Sequence, residues 1–166
     1  MLRARMTTFD LSGEWQGHYE QNRRQHGISM RVVQRGQSFV GAMRDVDTLL
    51  ASAEALTPPS GDGTKPETVQ AEVLSSLPEH STIEGEIEGR LVSFVKSYRG
   101  TSTTHVRVPG RAQMTFAAPG HQVQYRGTLT PAGDEFAGYW TIPPRHGERT
   151  LRGRFVLRRV ATSPTT

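Results

Sequence analysis

The sequence predicts an all-β protein: an antiparallel up-and-down (meander) barrel of about eight strands with one helix or loop insertion after the third strand. Three observations predict it. The first is a repeated motif, apolar–x–Gly–x–apolar. It occurs at Trp15-Gly17-Tyr19, Phe39-Gly41-Met43, Ile83-Gly85-Ile87, Tyr125-Gly127-Leu129, Phe136-Gly138-Trp140 and Leu151-Gly153-Phe155. An isolated glycine in a strand marks a bend, a bulge or the close approach of another backbone. The same notch at the same phase in so many strands is a device for rolling a sheet until it closes. The second is strict alternation. Trp15, Gly17 and Tyr19 share one face against Gln16, His18 and Glu20; Ile83, Gly85 and Ile87 oppose Glu84, Glu86 and Glu88; Leu151, Gly153, Phe155 and Leu157 oppose Arg152, Arg154 and Arg158. Period-two patterning of this kind describes half-buried antiparallel strands. The third is the shortness of the joints RRQHG, QRGQ, EGR, VPGR, APGH and PAGD, which favours sequential hairpins.

Taken in order, the expected strands are 13–20, 27–34, 37–45, 67–74, 81–88, 91–99, 104–108, 111–117, 121–129, 135–142 and 150–159. The first carries Trp15 inward, and the second follows more loosely through Ile28, Met30 and Val32. The number exceeds what a small barrel needs, so some strands pair as extended hairpins or edges. Residues 46–66 break the rhythm. Asp47 is placed to cap a short helix whose apolar face runs through Leu49, Leu50, Ala53 and Leu56. The segment reads equally as a lid over a barrel mouth or as a surface excursion ending in a Pro/Gly loop. Residues 1–10 read as a disordered arm, 11–160 as the barrel domain and 161–166 as a disordered tail.

Composition narrows the classes. A chain of 166 residues suits one domain and can bury roughly 70% of its unfolded surface. The absence of cysteine excludes disulfides, thiolate zinc sites and a cysteine nucleophile, and fits a cytoplasmic location. No apolar run reaches the ~18 residues of a membrane span, and no secretory signal is expected. The net charge is +4, and every basic residue except Lys65 and Lys96 is arginine. No stripe of arginine interleaved with aromatics appears, so a nucleic-acid partner is not expected.

Short motifs resemble the calycin-like up-and-down barrels, the avidin-type barrels most closely. They are Gly13-Glu14-Trp15 on the first strand, Phe94, Lys96 and Tyr98 on a central strand, VQYRGTL (123–129), FAGYW (136–140) and GRFVLRR (153–159). Lipocalins and fatty-acid-binding proteins also open with G-x-W, and GEWQGHY is similar to the first strand of nitrobindin-like haem barrels. The resemblance implies the fold of a bacterial member of this architecture. It does not imply biotin as ligand, because the Asn/Ser/Tyr cluster and the additional tryptophans of avidin-type sites have no counterpart here.

The candidate chemistry lies on VSFVKSYR, 92–99. If Phe94 points inward, so do Val92, Lys96 and Tyr98. A desolvated ammonium requires a partner. Phe39, Gly41 and Met43 point inward on the third strand, so Asp45 continues that face towards one end. The sequence therefore predicts a Lys96–Asp45 pair near a mouth, hydrogen-bonded to Tyr98 or Tyr19. Such a pair reads either as the polar anchor of a ligand pocket or as a structural ion pair. The expected ligand-binding set is Lys96, Tyr98, Asp45, Trp15, Tyr19, Phe94, Tyr125 and Trp140.

No metal site is expected, since the histidines show no HxH or HxxxH spacing. His26, His121 and His146 are read as turn residues. No cofactor is expected; the one left open is haem, held by a loop histidine across a mouth. No nucleophile elbow, Walker loop or dinucleotide fingerprint occurs. Glu84, Glu86 and Glu88 are placed to face Arg152 and Arg154 if their strands are neighbours. The leading functional expectation is a barrel holding a small, partly apolar or anionic ligand. The alternative is a filled structural or protein-interaction barrel, and the third is a cavity-based cyclase or isomerase. A homodimer through Val40, Ala42, Ala137 and Tyr139 is a further expectation.

Overall fold

The computed structural model describes residues 9–45, 49–56, 68–76, 80–144 and 150–162. The chain forms twelve strands: β1 (Gly13–Gln21), β2 (Arg24–Arg35), β3 (Ser38–Asp45), β4 (Leu49–Leu56), β5 (Thr68–Ser76), β6 (His80–Glu88), β7 (Leu91–Tyr98), β8 (Thr101–Arg107), β9 (Met114–Pro119), β10 (Gln122–Leu129), β11 (Glu135–Ile142) and β12 (Leu151–Arg159). Eight of them close a barrel in the cyclic order β1-β12-β11-β10-β7-β6-β3-β2, every pair antiparallel. This is the predicted meander, with hairpins inserted after β3 and after β7.

The inserted hairpins form a unit of their own, a four-stranded antiparallel sheet in the order β4-β5-β8-β9. It corrects the expected helix: Leu49–Leu56 is a strand paired along its length with β5, from Leu49 opposite Ser75 to Leu56 opposite Thr68. The segment is rich in good helix formers, but main-chain pairing with a neighbouring strand overrides so weak a preference. Asp47, the expected helix cap, lies outside the described residues, as do 57–66 of the expected lid, residues 1–8 and residues 163–166.

Within the barrel, the glycine motif does the work its periodicity implies. A methyl group on Gly17 would overlap the Val156 carbonyl of the neighbouring strand. Gly138 and Gly127 stand opposite each other in the β10–β11 register, and a methyl on Gly138 would overlap the Arg126 carbonyl and crowd the Cα of Gly127. Backbones approach there more closely than any side chain permits, which lets the sheet curl tightly enough to close.

The interior is apolar and rich in rings. Phe94 lies 6.1 Å from Phe39, 4.7 Å from Tyr125 and 6.3 Å from Phe136; Phe136 lies 5.3 Å from Trp15 and 5.4 Å from Phe155. These contacts step from β3 to β7 to β11 to β1, so rings reach past the intervening strands into the barrel's centre. Most meet edge to face, the arrangement favoured by the ring quadrupole. Ile28, Met30, Val32, Met43, Ile83, Val123, Leu129 and Leu157 complete the buried core.

One end is sealed. Leu11, just before β1, is buried and accepts a hydrogen bond from the Trp15 indole through its carbonyl, at 2.8 Å. The Arg159 guanidinium lies 4.5 Å over the Trp15 ring and donates to the Ser12 carbonyl. The Gln34 side chain holds the same segment, accepting from the Leu11 amide and donating to the Phe9 carbonyl.

On the outer wall one expectation fails by topology. Strands β6 and β12 are not neighbours, so Glu84, Glu86 and Glu88 do not face Arg152 and Arg154. Glu84 stands opposite Val40 and Val95 instead, and Arg154 opposite Tyr139. Val40 and Ala42 on β3 lie across the barrel from Ala137 and Tyr139 on β11, so these four residues form no single patch.

Candidate functional site: the polar end of the barrel

The end opposite Trp15 carries the buried charge. Asp45 is the last residue of β3, opposite Ile28 of β2. Lys96 sits between Ile83 of β6 and Val123 of β10, and Ile83 in turn stands opposite Gly41 of β3. The register therefore places Lys96 deeper than Asp45, and the four-carbon stem of the lysine spans the difference. Lys96 is fully buried and Asp45 nearly so.

The Lys96 ammonium donates to both carboxylate oxygens of Asp45, at 2.8 and 2.6 Å, and to the Tyr98 hydroxyl at 2.9 Å. Its three donor hydrogens thus have three oxygens. Tyr98 donates weakly in return to Asp45 Oδ1, at 3.5 Å. The pair expected from strand alternation is formed, with Tyr98 rather than Tyr19 as its hydrogen-bond partner.

Aromatic rings enclose this network. The ammonium lies 4.3 Å from the Tyr98 ring centre and 6.0 Å from that of Tyr19. Tyr19 stacks on His26 at 5.1 Å and meets Trp140 edge-on at 6.1 Å. The Trp140 indole donates to the Glu20 carbonyl at 3.0 Å, which fixes that ring. Tyr98 lies 5.0 Å from the His121 ring. Ser81, buried beside them, donates to the Met43 carbonyl.

Burial governs the protonation chemistry. It pushes the Lys96 ammonium below the usual lysine range, although the Asp45 charge and hydrogen bonds pull it back up. It pushes the Tyr98 hydroxyl far above the usual tyrosine range, with the Asp45 charge adding to the effect. Tyr125 is raised for the same two reasons, burial first and Asp45 second. Both hydroxyls therefore remain neutral donors at any ordinary pH.

The predicted site residues fall into three places. Lys96, Asp45, Tyr98, Tyr19 and Trp140 come together at the polar end. Phe94 and Tyr125 stack in the middle of the barrel. Trp15 belongs to the sealed end. His26 and Ser81 were not foreseen. His26 corrects the turn reading: the β1–β2 turn is Asn22–Arg23, and β2 begins at Arg24, so His26 lies inside a strand, two residues before Ile28 on the same face. Extending the alternation of Ile28, Met30 and Val32 by one step would have found it. His146 lies outside the described residues.

Among the described residues no group of three or more His, Asp or Glu is placed to hold a metal ion, and no helix is long and apolar enough to cross a membrane. Comparison with family models, curated proteins and solved structures gives no match.

Proposed function

We propose that the chain is a small-molecule-binding barrel of calycin-like type, whose ligand is partly apolar with a polar or anionic head group that docks at the polar end. The observation that carries this reading is the buried Lys96–Asp45–Tyr98 network inside an otherwise apolar barrel. Removing two charges from water costs several kcal/mol per ion, and well-packed apolar side chains of similar volume are often as stable or more so. A barrel needing only closure has no use for the network, and the opposite end is sealed without one. A neutral head group with a donor hydrogen can bond Asp45, and an anionic one has to displace Asp45 from the Lys96 ammonium and take over its hydrogens, while Tyr19 and Trp140 form apolar walls above Phe94 and Tyr125. This arrangement suits reversible binding. An imine-forming lysine would need its proton removed and its carboxylate partner displaced.

A second reading, a filled barrel serving as a structural or interaction domain, is favoured by the ring network from Phe39 to Trp15. Native mass spectrometry of the purified protein separates the two. A retained, defined mass that disappears in Lys96→Met/Asp45→Leu supports the ligand, and absorbance in the Soret region would identify it as haem. Ligand-free protein after denaturing extraction and re-exposure to a cell extract supports the filled barrel.

A further inference from the structure

The outer wall of the barrel at β1, β11 and β12 holds a groove of about 410 Å³, inside the ~300–1,000 Å³ range of small-molecule sites. Arg23, Arg152, Arg154, Glu20 and Tyr139 line it, above a bare floor at Gly153. A methyl group on Gly153 would overlap the Glu20 carbonyl and the buried Trp140 indole, on the inner side of the wall. Its charged lining residues are three arginines and one glutamate. Arg152 lies 4.0 Å over the Tyr139 ring, and Arg154 stands opposite Tyr139 in the register. The ion pairs among the described residues, Arg31–Glu14, Lys96–Asp45 and Arg158–Glu135, use none of the three. The groove of about 500 Å³ over Gly85 is lined by the opposite balance, Glu84 and Glu86 with Arg126.

The backbone supplies an independent observation. Asn22 and Arg23 form the two-residue β1–β2 turn with φ of 52° and 62°. Two-residue hairpin turns call for positive φ at both positions, which asparagine tolerates and which glycine satisfies best at the second. An arginine there is strained, and local strain concentrates at ligand clamps. Arg23 lines the groove together with Arg152 and Arg154.

We propose that this groove binds the phosphate group of a small organic phosphate. Guanidinium forks match phosphate oxygens with paired, charge-assisted hydrogen bonds, and the Tyr139 ring steadies one of them. The site is independent of any ligand in the barrel interior. Titration of the full chain with inorganic pyrophosphate, followed by calorimetry and by amide NMR, tests it. Saturable binding is expected, with shifts centred on Asn22, Arg23 and Gly153. Arg23→Gly and Arg154→Gln should each weaken it by about tenfold or more, while Arg126→Gln leaves it unchanged. Arg23→Gly should at the same time raise Tm by about 2 °C or more, because the strain is relieved. Undiminished pyrophosphate binding by Arg23→Gly overturns the proposal, as does a lowered Tm in that variant. So does binding to phosphatidylglycerol vesicles without any binding of pyrophosphate.

Discussion

The two ends of the barrel solve the same problem with different chemistry. At the Trp15 end, the chain before β1 folds under the barrel. Leu11 fills it, and Arg159 keeps its guanidinium at the rim over the indole face. At the Asp45 end a whole ammonium and a whole carboxylate are drawn inside. Closure by apolar contact is insensitive to salt and pH and tolerates repacking. Closure by a buried pair is all or nothing, because neither ion has an alternative partner once the other is gone. The contrast locates the molecule's electrostatic sensitivity in a handful of residues.

The largest effect should come from splitting the pair. Lys96→Met strands the Asp45 carboxylate and should cost about 3–5 kcal/mol in urea unfolding, whereas Lys96→Met/Asp45→Leu should return to wild-type stability or exceed it by about 1–4 kcal/mol. A single variant as stable as the wild type would break the distinction between the ends. Trp15→Ala should also cost about 3–5 kcal/mol through the cavity it leaves, but with a loss that stays the same between pH 6 and pH 9.

The next effect concerns the wall that joins the ends. Gly138→Ala should cost about 1–3 kcal/mol or more, because the clash is with backbone that cannot rotate away. Gly17→Ala should behave alike. Gly36 has open space around it but a φ of 64°, so Gly36→Ala should lose stability through backbone conformation alone, without a clash.

The smallest and most specific effect is alkaline. The folded pKa values of Tyr98 and Tyr125 are raised, so the unfolded chain ionises first. Their stabilising contribution is complete below the unfolded value near 10 and is lost as pH rises beyond it, at about 1.4 kcal/mol per pH unit for each. Lys96 has the opposite sign. Its folded pKa is depressed, so its contribution declines as pH falls below the usual lysine value. An ultraviolet titration should show Tyr98 and Tyr125 ionising only with unfolding. Free titration of all four tyrosines in the native protein would place the polar end in contact with water.

Much of this was legible in the sequence because barrels write themselves in period two. Alternation alone put Asp45 and Lys96 on the inner face, and a buried lysine demands a counter-ion, so the pair followed. The glycine phase announced the curvature. What stayed hidden depended on boundaries and neighbours. His26 was missed because the turn was placed a few residues late. Arg159, one alternation beyond Leu157, was passed over because arginine on an inner face is unexpected until Trp15 is seen beneath it. The strand at 49–56 was masked by helix-forming Leu, Ala and Glu, although LLASAEAL also alternates. Which strands adjoin across the cylinder, and hence which outer charges meet, is a property of closure that no local pattern contains.

The seam of the cylinder lies between β1 and β12, where Trp15 stands opposite Arg159. While the ribosome is still making the polypeptide, β1 has β2 on one side and a bare edge on the other. That edge, with its unpaired amides and its tryptophan, waits for the last strand to be synthesised. Such long-range pairing is slow to form and leaves a sticky margin in the interval. Glu14, Gln16, His18 and Glu20, alternating along that margin, give it the polar character that discourages a stranger from taking the place of β12.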